Sequence, residues 1–348
     1  MDLELSAEQS GLRDTLRDLL SRECPPTLVR QAEPLGHEDK LWAKLCEMGV
    51  ASLAIEEALG GGGGGLLDAA VAVECIGEAI APVPLIEATV ANRLLASLHD
   101  QLDPAAQALV RRACDGDLLA TVALHPAIGG IAHFVPGGAV ADVVIALVGD
   151  DLVLSRRPDG SVESPPEPMP NLAAMPFAHW SVGRDGVVLA RGEHAGLAHR
   201  RAISEWKTLT AAALVGLASR ALEMGVAYVK ERRAFGVPIA AFQTIQHRLA
   251  DDVTNLDGSR LLALESAWAH DQRAPNASSL ASMAFLFAAD TAYRTTADCL
   301  HFHGGYGYTL EYDIQLYYRR AKAWPQLLGD PSRQYVELAH ELFDVTGG

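Results

Sequence analysis

The sequence predicts a mainly α chain with a small β-domain, ordered as an N-terminal helical domain, a reduced middle β-domain and a C-terminal four-helix bundle. Three observations carry this. Apolar residues recur at helical spacing through the first third, β-branched runs bounded by Gly, Asp and Pro fill the stretch from Leu118 to about Leu197, and long Ala/Leu-rich segments return from Ala202 onward. The expected divisions are 1–117, 118–200 and 201–348.

In chain order, Leu12, Leu16, Leu19 and Leu20 share one helix face over residues 6–24, and Ser6 with Glu8 and Gln9 supplies the start signal. A second helix covers Glu38 to Met48 and stops at Gly49. Six consecutive glycines, Gly60 to Gly65, follow. A phosphate-cradling loop would need a following Lys and Ser/Thr, or a preceding strand and a later acidic residue. Neither is present, and LLDAAVAVECIGEAI begins at once, so the run reads as a flexible helix–helix connection whose backbone approaches a neighbour closely. Residues 66–115 alternate helical runs with Pro82, Pro84 and Pro104.

The middle segment reads as short strands in AVADVVIALVGDDLVLS and DGVVLARG, with a Pro-rich loop, SRRPDGSVESPPEPMPN, between them. Beyond it the predicted helices run Ile203 to Glu231, Gln243 to His270, Ser278 to Phe302 and Arg333 to Phe343.

Composition narrows the class of function. With 348 residues, 49% of them hydrophobic, the chain can bury a large core. Asp and Glu number 44 against 28 Lys and Arg, a formal charge of −16, which repels a phosphate backbone and argues against nucleic acid. The five cysteines stand singly, without CxxC or metal-ligand spacing, and read as buried thiols of a reducing compartment. The acidic, amphipathic N-terminus does not read as a signal peptide, and apolar stretches are interrupted by Gly, Pro or charge, so no membrane span and a cytoplasmic location are expected.

Two segments carry the chemistry, ERRAFGVPIAAFQTIQHRLADD at 231–252 and LHFHGGYGYTLEYDIQLYYRRAK at 300–322. Together they resemble the two C-terminal signatures of the acyl-CoA dehydrogenases, an Arg-x-x-Phe-Gly…Gln stretch and a Gly-Gly-x-Gly-Tyr stretch. The opening helices, LSAEQSGLRDTLRDLL and LWAKLCEMGVASLAIEEALGG, are similar to that family as well. The resemblance implies FAD as cofactor, an acyl-CoA thioester as substrate, α,β-desaturation as reaction and an electron-transferring flavoprotein as acceptor.

The residue types suit a dinucleotide. Arg232 offers a planar five-donor fork for a pyrophosphate, and Gln243 offers a donor and an acceptor. An arginine near a helix end is by default a solvated charge, and the surrounding match is what singles this one out. Gly304, Gly305 and Gly307 leave the backbone open to a bulky ligand, beyond what a single helix-ending glycine explains. Phe235 and Tyr308 would wall the site, although Phe235 reads equally well as core. In the family these positions reach the FAD of a neighbouring subunit.

The departures matter as much. The family's α-proton is removed by a carboxylate, and the two places where members carry it fall here on Leu328 and Trp206. Glu205 is one residue from the second place, about 100° around a helix, and is the fallback base. The flavin-binding Thr-Glu-Pro-x-x-Gly-Ser-Asp and Trp-Ile-Thr elements have only ATVALHPAIGGIAHF in their place, and His301 stands where the family has Gln. What is kept would touch a neighbour's FAD, and what is lost would run chemistry in the chain's own pocket. This resembles the non-catalytic partner in the heteromeric acyl-CoA dehydrogenases that actinobacteria use on steroid side chains, heterotetramers of two unlike chains. A self-sufficient homotetramer using Glu205, and a flavin-free structural homologue, are the competing readings.

Overall fold

The computed structural model describes residues 4–157, 167–182 and 186–343. Most of the Pro-rich stretch within 155–171 lies outside the described residues. The described residues gather into two compact units: those within 1–26, 70–81 and 207–348 form one, those within 27–69 and 82–206 the other.

The first helices are α1 (Ala7–Glu23), α2 (Pro26–Ala32), α3 (Asp39–Glu47), α4 (Leu66–Ala79), α5 (Leu85–Leu98) and α6 (Pro104–Cys114). Helix α1 starts as its sequence indicates: Gln9 N–H donates to Ser6 Oγ at 3.1 Å while Ser6 N–H donates to Gln9 Oε1 at 3.0 Å. Gly49, at φ 72°, ends α3. The six-glycine run is a folded loop rather than a loose tether. The amides of Gly61, Gly62, Gly63 and Gly64 donate to the carbonyls of Glu56, Ser52, Ile55 and Leu53. A Cβ on Gly61 would sit 2.3 Å from the Ile55 carbonyl oxygen, so the close approach expected of the run is present.

The β-rich part lies wholly in the second unit. Strands β1 (Ala120–Val122), β3 (Val143–Val148), β4 (Asp151–Arg156) and β6 (Val187–Arg191) form one sheet in that order, the first pair parallel and the others antiparallel. Strands β2 (Ile131–Val135) and β5 (Ala178–Ser181) form a separate antiparallel pair, with an irregularity between Ala132 and Val135. Ala132, Val135, Val144, Ala146 and Trp180 share a buried cluster, which is why β-branched and small residues dominate these runs.

Helix α7 (Gly192–Glu231) begins earlier than its apolar periodicity indicates and runs 40 residues, about 60 Å. Contrary to the expectation of interrupted apolar stretches, α7 is long and apolar enough to cross a bilayer, but 72% of its apolar window is buried inside the fold. It is a core helix. Within the first unit it meets α4 at a close crossing: a Cβ on Gly77 would lie 1.9 Å from the Ala213 carbonyl oxygen, and one on Gly216 equally close to that of Glu74. Helices α8 (Gln243–Asp271), α9 (Ala277–His303), α10 (Ile314–Ala323) and α11 (Pro331–Phe343) complete this unit, with a short hairpin of β7 (Arg233–Ala234) and β8 (Val237–Pro238) after α7. Of the predicted C-terminal helices, the first ends where expected but starts 11 residues early, the other three match within a few residues as α8, α9 and α11, and α10 is an addition to them.

All five cysteines are free, and burial pushes the Cys46 and Cys114 thiols up to about 11, leaving neither as a ready nucleophile.

Candidate functional site

Three helix ends converge in the helical unit. Ion pairing of Arg248 with Asp298, a bond from Thr295 Oγ1 to Asp252 Oδ1 at 3.2 Å and another from Ser259 Oγ to Thr291 Oγ1 at 3.0 Å zip α8 antiparallel to α9. The start of α8 therefore lies beside the end of α9. Tyr228, one turn before the end of α7, stacks on His303 with ring centroids 4.0 Å apart, bringing the third end in. Arg232, Phe235, Gln243 and the turn from His301 to Tyr308 thus occupy one end of this unit.

Local chemistry shapes each piece. The β7–β8 hairpin turns on Phe235 and Gly236 at φ 52° and 84°, both in the left-handed region that a tight two-residue hairpin requires. Glycine accepts that region freely, whereas phenylalanine is strained there and yet is 95% exposed. The core reading of Phe235 is thereby overturned: its ring packs edge-on to Phe242 at 6.2 Å and otherwise faces outward. Arg232 is fixed by its backbone, its N–H donating to Tyr228 O and its carbonyl accepting from Ile239 N, both at 2.8 Å, while the side chain is exposed and has no ion-pair partner among the described residues. Gln243 opens α8 after Phe242, which supplies no side-chain cap, so first-turn N–H groups remain available to an anion.

The three glycines serve different needs. Gly304 holds φ 62°, Gly307 has no room for a side chain with the Leu300 carbonyl oxygen 2.7 Å from its Cβ position, and Gly305 faces open space. His301 and Tyr308 are exposed, the latter at 71%. A guanidinium, an amide, an uncapped helix start and a bare glycine turn form a donor set that fits the pyrophosphate-bearing half of a dinucleotide.

Glu205 belongs to the second unit and is otherwise engaged. Only 3% exposed, it is held by Arg93 through Nε to Oε2 at 2.9 Å and Nη2 to Oε1 at 3.2 Å, and by Arg201 Nε to Oε1 at 3.2 Å. Arg93 is itself fixed by donating from Nη1 to the Ala54 carbonyl at 2.7 Å. Trp206 is buried at 2% and donates from Nε1 to Glu87 Oε1 at 3.4 Å. Burial pushes the Glu87 carboxyl up to about 7. Sequence alone does not single out Glu87, whose hydrogen-bond donor Trp206 stands 119 positions away.

A second exposed aromatic group also escapes the sequence. At the β2–β5 irregularity, His133 and Phe134 oppose His179, with the two Nδ1 atoms 3.2 Å apart and Phe134 edge-on to His179 at 4.9 Å. Phe134 takes φ 52° and is 53% exposed.

The sequence matches the profiles of two families, acyl-CoA dehydrogenase N-terminal domain over residues 6–108 and acyl-CoA dehydrogenase C-terminal domain over 198–335. The acyl-CoA dehydrogenase IpdE2 of Mycolicibacterium smegmatis is 34% identical over 97% of this chain and 100% of its own. Among solved structures, a chain of the ChsE4-ChsE5 complex from Mycobacterium tuberculosis superposes with TM-score 0.88 at 25% identity, covering 100% of both chains. A chain of the Tcur3481-Tcur3483 steroid ACAD does so with TM-score 0.85 at 25% identity, covering 97% of this chain and 98% of that one.

Proposed function

The chain belongs to the acyl-CoA dehydrogenase family, and from that premise we propose that it is the non-catalytic subunit of a cytoplasmic heterotetramer in steroid side-chain degradation, contributing to an FAD site shared with a second, unlike acyl-CoA dehydrogenase chain. One observation carries the proposal. The dinucleotide-type donors, Arg232 and Gln243, and the ring of Tyr308 all face outward at one end of the helical unit, while the places expected to hold a base carry Leu328 and Trp206. Glu205, the remaining candidate, has both oxygens occupied by guanidinium groups.

In this reading Arg232 and the start of α8 would hold the pyrophosphate and Gln243 would orient it, while the glycine turn would leave the backbone open to it, with His301 at the rim and Phe235 and Tyr308 as walls. Bound FAD supplies the hydride acceptor, and the partner chain supplies the carboxylate that takes the α-proton. An electron-transferring flavoprotein would be the acceptor partner of the assembled complex. Solved relatives that include a two-component complex and a steroid ACAD support the heteromer and the substrate class. Free, mostly buried cysteines support a reducing compartment.

The self-sufficient homotetramer is the second reading, favoured by the exposed Phe134 and its two histidine neighbours, which could face a flavin of this chain's own. Turnover separates the two. The complex is assayed with a saturated acyl-CoA and an artificial electron acceptor, comparing Glu205→Gln with removal of the partner's catalytic carboxylate. The proposal expects a large loss only for the partner's change, and a comparable loss at Glu205 with FAD content intact would move the active site into this chain.

A further inference from the structure

Arg232 and the glycine turn belong to separate elements. Arg232 directly follows the last residue of α7 and its side chain is exposed, whereas the turn Gly304–Tyr308 directly follows α9. Groups on two helix ends grip one ligand well only when their separation is set in advance, because ordering them on binding costs entropy.

One aromatic contact links the two ends. The rings of Tyr228 and His303 are stacked, with centroids 4.0 Å apart and planes 25° from parallel. Tyr228 is tied to Arg232 through its backbone, since its carbonyl accepts the Arg232 N–H at 2.8 Å. His303 is tied to the turn on the other side. It is the last residue of α9, just before Gly304, and its Cβ lies 3.1 Å from where a Cβ on Gly307 would stand.

Neither ring is loose. His303 is buried, and its Nδ1 donates to the Cys299 carbonyl at 2.7 Å, which fixes both the ring and its tautomer. Burial holds its imidazole below the ordinary histidine range, so a neutral ring faces Tyr228. Tyr312, just beyond the turn, meets Tyr228 edge-on at 6.3 Å and His303 at 5.7 Å, and Tyr306 within the turn leans on Tyr312 at 5.9 Å. The turn is thus held to the same rings before and after its glycines.

We propose that Tyr228 and His303 are positioning residues of the shared FAD site, whose stack fixes where Arg232 stands relative to the glycine turn before the cofactor arrives. Neither ring need touch FAD. Their effect passes through the guanidinium, and the inference rests on the partner-subunit reading above.

The test times FAD release from the diluted, co-purified heteromer for the parent, Tyr228→Leu, Tyr228→Phe, Arg232→Ala and the double variant Tyr228→Leu/Arg232→Ala, with a thermal melt of each. Tyr228→Leu is expected to release FAD about fivefold faster or more, and Tyr228→Phe, which keeps the ring, to behave as the parent. The double variant should be no faster than Arg232→Ala alone, because the stack has nothing left to position. His303→Leu reads the same contact from the other ring and should match Tyr228→Leu. A lower thermal midpoint for Tyr228→Leu with parent-like release overturns the proposal and leaves the shared site standing. So does a double variant whose acceleration is the product of the two single ones, or the failure of both leucine variants to assemble. A parent heteromer that carries no FAD removes the shared-site reading and this inference together.

Discussion

Arg93 grips Glu205 through both carboxylate oxygens, at 2.9 and 3.2 Å, and the two side chains are 13% and 4% exposed. Such a fork satisfies a buried carboxylate and holds two distant segments of one unit together, since the pair spans 112 positions of sequence. Arg93→Ala is expected to cost roughly 3 kcal/mol of stability, because it strips a buried charge of its main partner. Glu205→Gln should likewise lower the thermal midpoint while leaving turnover of the complex within a few-fold. Loss of a general base costs on the order of a hundredfold or more, so thermal melts and rates together separate the two roles.

Glu87 gives a stability profile with a defined sign. Its folded-state pKa, raised by burial to about 7 from 4.5, lies above the unfolded value, so the native state binds the proton more tightly. The stabilisation is complete below the unfolded pKa and is lost as pH rises towards about 7. Glu87→Gln should flatten that fall, so that its unfolding free energy from denaturant titrations gains on the parent's between about pH 5 and pH 8, by at most roughly 3 kcal/mol. Parallel pH curves for the two proteins would show that Glu87 is not the group responsible.

Arg232→Ala should weaken FAD retention in the assembled complex by roughly 2 kcal/mol, the cost of a lost charge-assisted phosphate contact. Arg232→Lys should restore only part of it, since an ammonium cannot reproduce the fork. Flavin release during ultrafiltration reads this directly. Equal retention in all three proteins, with assembly intact, would remove Arg232 from the site.

Phe134→Ala discriminates between the two functional readings. Phe134 is strained at φ 52° and half exposed, so its removal should leave stability unchanged or slightly raised. With the FAD site shared at the other unit's end, flavin content should also hold. A fall in flavin content with the complex intact would favour a site on the β-domain.

Much of this was legible before the fold was known. Helical spacing placed α1, α3, α8 and α9 within a few residues, and the strongest start signal, Ser6 with Gln9, forms the reciprocal cap it implies. Arg232, Gln243 and Gly304 come together because they sit at the ends of neighbouring helices, which their order in the chain already suggests. What was hidden depended on contacts distant in sequence. Glycines 60–65 looked loose, but the amides of Gly60 to Gly64 are claimed by the turns just before them and that of Gly65 by the Asp68 carboxylate. The partner of Glu205 lies on α5, and Glu87 owes its high pKa to burial that no local pattern announces. Phe134 is displayed by a register shift, and period-two patterning says nothing of where a strand skips.

The central claim is that this chain completes an FAD site it does not hold alone. Flavin absorbance per chain, measured on the protein purified by itself and again after co-expression with a second acyl-CoA dehydrogenase chain, tests it most directly. The account predicts little or no FAD on the isolated chain and stoichiometric FAD on the co-purified heteromer, falling when Arg232 is replaced by alanine. One tightly bound FAD per chain in a pure homo-oligomer would contradict it.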